Sequence, residues 1–382
     1  MSLHKATELI KKFGIGMGIG LGVIIIISIF VRIGGYIISV AVPPKITPPN
    51  QAYDALPAIE FPRNKVDNNF TYVLNTVSGA LPADFPDRLI IYPLEEPEPN
   101  FLNLDKAKEK AGILGFTNRE GKVIPETALG NGNYEWADAS GINRKLRIDT
   151  VTFNFALTSN YLAALTVLGS QDLSDEQNAI ETARDFLERI ELLPKDVDIQ
   201  KISNPQKDLA YDTYPKLFSI RNGTLIPTTS LSTARVIRVD FHQKDIEYDL
   251  DTGIKKAAKL KMKLPIRYPD PPFSTMSFWI ASGENTAEIY AANFIHNNIL
   301  IPTDTVATYP IKTSGEAFED LKNGKAYIAS YNGLDQQILI SNIYLAYYLG
   351  ETKQSHLMPI VVFEGQDGFF AYVPAVKTAT SN

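Results

Sequence analysis

The side chains best suited to acid–base or metal chemistry in this chain are its four histidines, His4, His242, His296 and His356, and no two of them stand three or four residues apart. A helical metal-binding pair needs that spacing, because only residues one turn apart aim both imidazoles at one ion. Cysteine is absent, which removes disulfides, thiolate metal sites and thiol nucleophiles. Outside the N-terminal apolar run there is no G-x-S-x-G elbow, no P-loop and no G-x-G-x-x-G after a strand. Acyl, phosphoryl and dinucleotide chemistry therefore lack their usual backbone frames. The expectation is a non-enzyme with no catalytic residue, no metal and no cofactor.

Two charged stretches invite a binding reading. Asp249, Asp251 and Gly253 resemble the opening of a calcium loop, but the remaining oxygen ligands and the distal glutamate are missing, so a turn closing a strand is expected. Lys255, Lys256, Lys259, Lys261, Lys263 and Arg267 could face an anionic lipid or polymer. They alternate with Ile254, Leu260, Met262 and Leu264, which is the pattern of a strand with one wet face. A net charge of −6 gives no nucleic-acid footprint.

No residue from Phe13 to Val31 is charged, and apart from Arg32 the apolar character runs on to Val42. Nineteen helical residues at about 1.5 Å each match the roughly 30 Å hydrocarbon core of a bilayer, so residues 13–42 read as a single transmembrane anchor. Lys5, Lys11 and Lys12 precede the span and Lys45 follows it. This asymmetry places residues 1–12 in the cytoplasm and the bulk of the chain outside, on the cytoplasmic membrane. Gly14, Gly18 and Gly22 recur every fourth residue with Arg32 on the same side, a small-residue ridge suited to helix–helix packing. The expected partners are the lipid bilayer and an envelope protein or a second copy met through that helix. The plainer alternative is that glycine is common in membrane helices and Arg32 lies at headgroup level.

Six prolines between Pro43 and Pro62 read as an extended stalk over residues 43–67. Beyond it, three stretches each give a helix followed by antiparallel strands: a first module over 68–170, a second over 171–304 and a third over 305–376, with a short tail at 377–382. The helices start near Leu104, Ser174 and Gly315. Ser174 with Gln177 reads as a capping box, and Ala179, Ala183, Phe186, Leu187 and Ile190 form one stripe. Thr150 to Leu157 alternates as a strand, and Pro359–Glu364 and Phe369–Val376 flank the hairpin turn Gln366-Asp367-Gly368. The fold expected is α+β, an N-terminal transmembrane helix followed by stacked helix-plus-antiparallel-hairpin modules.

The C-terminal strands Ile343–Tyr348, Met358–Gly365 and Phe370–Val376, after the short helix Ser314–Lys322, resemble the closing hairpins of PepSY-like modules. They look most like membrane-anchored extracytoplasmic regulatory proteins of the YycH/YycI type, although Val361-Val362-Phe363 stands where those carry tryptophan. The run Leu56–Pro62 is similar to an entry motif of uncharacterised single-pass proteins from candidate-phyla bacteria. The resemblance implies an extracytoplasmic binding protein that regulates or scaffolds another envelope protein. A structural subunit of a cell-surface assembly and an envelope-polymer enzyme are the alternatives.

Overall fold

The computed structural model describes residues 46–64, 70–139, 141–169, 175–197, 216–254, 258–283, 287–302 and 306–377, together with Ser28 and Leu173. Its contacts divide the chain into two units. In the smaller, residues 1–48 with 251–260, Thr47 N–H donates to Gly253 O at 2.9 Å beside a bridge between Ile46 and Ile254. The larger, residues 49–250 with 261–382, holds the remaining structure.

Along the chain, strands β1 (Thr71–Leu74) and β2 (Arg88–Pro93) precede helix α1 (Asn103–Ile113). Strands β3 (Thr127–Gly130), β4 (Asn133–Asp138), β5 (Arg144–Asp149) and β6 (Phe155–Thr158) lead to helices α2 (Leu165–Gly169) and α3 (Glu176–Arg189). Then come β7 (Lys216–Arg221), β8 (Thr224–Thr228), β9 (Val236–Phe241), β10 (Ile246–Leu250), β11 (Leu260–Leu264) and β12 (Ile266–Arg267). After β13 (Met276–Ser282), β14 (Ala287–Phe294) and β15 (Ala307–Pro310), helix α4 (Ser314–Lys322) precedes β16 (Tyr327–Ser330), β17 (Gln337–Tyr348), β18 (His356–Gly365) and β19 (Phe369–Pro374).

Nine of these strands form one antiparallel sheet in the order β3-β4-β5-β6-β14-β13-β9-β7-β8. Alternation gives it two apolar faces. Ile237, Val239, Phe241, Leu146 and Ile148 face one core with Ala107, Ala111, Ala183, Phe186 and Leu187 of α1 and α3. Val236, Ala281 and Tyr290 pack with Val167 of α2 in a separate cluster. Helix α3 starts where the Asp175 side chain accepts from Asn178 N–H at 2.7 Å, so the cap is Asp175; Ser174 lies outside the described residues.

The second large sheet has eight strands, with β1-β17-β18-β19-β16 as its spine. Strand β18 is buried almost throughout because it is flanked by β17 and β19, and by β2 at its start. Helix α4 sets Ala317 and Leu321 on this sheet's core, and its first turn carries a capping box between Thr313 and Glu316. Strands β10 and β11 form a small ribbon.

This architecture corrects the expected fold class. Nineteen strands in three sheets outweigh four α-helices among the described residues, so the protein is mainly β and not an α+β stack of helix-plus-hairpin, PepSY-like modules. The C-terminal hairpin exists, but it is embedded in an eight-stranded sheet that also takes β1, β2 and β12 from far upstream. The single-pass membrane arrangement is likewise unsupported, since no helix among the described residues is long and apolar enough to cross a membrane. The expected span at 13–42, with Gly14, Gly18, Gly22 and Arg32, lies outside the described residues except for Ser28.

Candidate functional site

The chain passes from the eight-stranded to the nine-stranded sheet through residues 268–275, between β12 and β13. Pro269, Pro271 and Pro272 fix their own φ angles and supply no N–H, and the Pro271–Pro272 peptide is cis. The loop's carbonyls therefore need donors, and both sheets provide them. From the eight-stranded sheet, the Tyr372 hydroxyl donates to Tyr268 O at 3.1 Å and the Tyr327 hydroxyl to Pro269 O at 2.8 Å. Burial pushes the Tyr327 hydroxyl up to about 12 and holds the Tyr372 hydroxyl well above its ordinary value, so both keep the hydrogens they donate.

The other end is held from β9. Ser274 N–H donates to Asp240 Oδ1 at 3.1 Å, and the Ser274 hydroxyl donates to Phe241 O. His242 Nε2 lies 3.2 Å from Pro272 O. Asp240 also receives two 2.9 Å bonds from the Arg238 guanidinium, which lies 3.8 Å over the Phe273 ring and 4.9 Å from that of Trp279. A bidentate pair with aromatic faces on the cation is the strong form of this contact.

This loop lines a cleft of ≈ 800 Å³. With it on one side stand Lys216 and Phe218 of β7. Facing residues from the eight-stranded sheet include Ser330, Ser341, Glu364 and Phe370, with Asn332 from the loop after β16. Two bulges shape that side. Ser341 is an extra residue between Ile340, opposite Gly365, and Asn342, opposite Glu364; Ala329 is extra between Ile328 and Ser330. A bulge bends its strand and re-aims side chains: Ser341 is itself the unpaired residue, while Ser330 follows the bulge and pairs with Phe370. Glu364 is a buried carboxylate kept solvated by protein: Oε1 accepts from the Tyr344 hydroxyl at 2.5 Å and Oε2 from Asn342 Nδ2 at 3.3 Å. Tyr344 in turn accepts from Arg267 Nε at 3.0 Å. The lining thus offers phenyl rings, hydroxyls, an amide and oriented carboxylates, groups that grip a ligand by contact and hydrogen bond.

A polar cluster braces the loop from behind. His296 Nε2 meets Asp196 Oδ1 at 2.8 Å, and Gln243 Nε2 donates to Asp196 Oδ2 at 2.7 Å and to Asn297 O at 3.0 Å. Gln243 N–H donates to the Tyr268 hydroxyl at 3.0 Å, tying the cluster to the loop's first residue. Burial raises the Asp196 carboxyl, but the bonds from His296 and Gln243 outweigh it and hold the group below its ordinary range.

The histidines scattered in sequence are thus partly gathered: His296 shares Asp196 with Gln243, and His242 meets the loop at Pro272 O and the Tyr268 ring. His356 stands apart, its Nδ1 2.8 Å from the Ser355 hydroxyl, and His4 lies outside the described residues. Asp251 accepts from Gly253 N–H at 2.7 Å, a turn contact in the smaller unit. Lys261 and Lys263 project from β11 as exposed groups, Lys263 pairing with Glu247 at 3.0 Å. The glycine ridge of Gly14, Gly18 and Gly22 with Arg32 lies outside the described residues. Sequence reasoning missed Glu364, Phe370 and Asn332. The one local signal was the proline-dense run from Pro269 to Pro272, whose stiffness marks a fixed loop.

No known family model matches the chain, and no curated protein matches it. Among solved structures it is similar to an uncharacterised protein from Eubacterium rectale, 14% identical over 77% of this chain and 80% of that one, with a TM-score of 0.32. A likeness this slight carries no functional argument.

Proposed function

We propose that the protein works by binding and not by catalysis, and that the cleft beside residues 268–275 receives a segment of a partner protein, which is thereby regulated or scaffolded. The observation that carries this reading is the loop itself, bonded to both sheets and presenting Phe273 to a cleft of ≈ 800 Å³. A wall fixed before the ligand arrives lowers the ordering cost of association, and the volume lies within the roughly 300–1,000 Å³ of ligand sites. Phe218, Phe273 and Phe370 supply aromatic contact of the kind that dominates recognition. Placement outside the cytoplasm rests on the lysines ahead of the charge-free run from Phe13 to Val31.

The test is affinity purification of tagged full-length protein beside a Ser341→Arg variant. Ser341 is exposed, so the larger side chain obstructs the cleft without filling the core. A specific partner retained by the parent and lost by the variant, at equal circular dichroism, supports the reading. Partners unchanged by the obstruction contradict it. External protease on intact cells checks the compartment, with digestion expected and full protection contradicting it.

A further inference from the structure

Residues 50–64 run against the eight-stranded sheet, anchored at both ends. Asn50 N–H donates to Thr308 Oγ1 at 3.1 Å while Thr308 N–H donates to Asn50 Oδ1 at 2.9 Å. Tyr309 receives Tyr53 N–H at 2.8 Å and donates to Asp54 O at 3.1 Å. At the far end Ile328 N–H of β16 donates to the side chain of Asn64 at 3.0 Å. Between these anchors Phe61 stacks on Tyr327, with centroids 5.1 Å apart and planes 11° from parallel, and meets Tyr348 edge-on at 4.8 Å. Its centroid lies 6.5 Å from that of Tyr372.

Tyr327 and Tyr372 are the two residues whose hydroxyls hold Pro269 O and Tyr268 O. Phe61 therefore packs on the rings whose far ends fix the cleft wall. We propose that this segment is a detachable strap that regulates the cleft: seated, it holds the two tyrosines and hence the loop after Tyr268; lifted, it frees them. Its role in recognition rests on the reading of the cleft as the binding site, whereas the mechanical link stands without it.

Three features make the strap releasable. Among the described residues it has one main-chain to main-chain bond to the sheet, from Gln51 N–H to Thr308 O at 3.0 Å. Its anchors Tyr53, Leu56, Ile59 and Phe61 are only half-buried, and segments with few buried contacts open locally ahead of global unfolding. The Tyr348 hydroxyl, in a fully buried residue against Phe61, has no hydrogen-bond partner among the described residues. That penalty is relieved when the strap lifts and water enters.

The experiment is native-state hydrogen exchange on the full chain, read at Phe273 and Ser274 in the loop and at Leu146 in β5. Loss of aromatic contacts of this kind corresponds to about tenfold faster exchange at the loop amides for Phe61→Ala, with Leu146 unchanged. Phe61→Tyr should restore protection, and Asn64→Ala, at an exposed position, should speed Ile328 without touching Leu146. Loop amides that ignore Phe61→Ala, or an equal rise at Leu146, overturn the proposal. Since no ligand is needed, a cleft that binds nothing would refute the functional reading above and not this coupling.

Discussion

Tyr344 donates its hydroxyl hydrogen to Glu364 at 2.5 Å while it accepts from Arg267 Nε at 3.0 Å, so one phenol links a buried carboxylate to a buried guanidinium. Replacing the hydroxyl by hydrogen leaves Glu364 short of a donor in a place water reaches poorly. Tyr344→Phe should therefore cost about 1.5–3 kcal/mol in urea unfolding at neutral pH, the range for a hydrogen bond to a charged group. Glu364→Gln in the same background should add less than it does alone, because the two changes share one bond. Strict additivity would show that the contact is not coupled.

Asp240 joins Arg238 to the loop through Ser274 N–H. Its side chain is 7% exposed and that of Arg238 is 15% exposed, so removing the carboxylate strands a nearly buried cation. Asp240→Ala should lower stability by about 3–5 kcal/mol and disorder the 270–274 turn. Quenching and shift of Trp279 fluorescence, set against the constant signal of buried Trp136, would report it.

Acid sensitivity follows from Asp196. Its carboxyl lies below the ordinary value of 3.8, burial opposing and the His296 and Gln243 bonds prevailing. A folded value below the unfolded one means that this stabilisation is complete above the unfolded value and is lost as pH falls through the folded one. Melting temperature followed downward from pH 5 should therefore fall less steeply in Asp196→Asn than in the parent. Parallel curves would mean that Asp196 contributes no pH-dependent stability.

What was legible in the sequence was local. The β18–β19 hairpin announced itself through alternation on both sides of Gln366-Asp367-Gly368, where Asp367 takes a positive φ of 52°. The α3 stripe was equally readable because its spacing alone fixes one face. The alternation from Thr150 to Leu157 misled: the chain turns at residues 149–154, Phe153 sits at φ 59°, and only Phe155–Thr158 is strand. Phe153 packs against the core from that turn, so an apolar residue at even spacing imitated a strand position. The fold class failed for a related reason. Alternation marks a strand but not its neighbour, and β1 with β17, or β2 with β15, pair across more than two hundred residues. The cleft shares that difficulty, since Lys216, Asp270, Asn332 and Phe370 have no spacing in common and meet only when two sheets are built.

The central place of β18 makes the C-terminus indispensable. Deleting residues 351–382 removes β18 and β19, stripping β17 of its partner along Ile340–Tyr348 and taking the buried Phe363, Phe369 and Tyr372 out of the core. An unpaired apolar edge of that length favours aggregation. Insoluble product is expected, whereas removing residues 378–382 should leave the melting temperature unchanged. A soluble, cooperatively melting long deletion would contradict the sheet order.

The cleft as the binding site is tested most directly by site-specific photo-crosslinking in the producing cells. A benzophenone side chain is placed at Asn332 or Phe218 in the cleft, and at Leu129 on β3, the edge strand at the other end of the nine-stranded sheet from β7 and β8. A discrete adduct is expected from Asn332 and Phe218, absent from Leu129 and suppressed by Ser341→Arg in the same chain. Adducts from Leu129 alone, or cleft adducts indifferent to Ser341→Arg, would contradict the assignment.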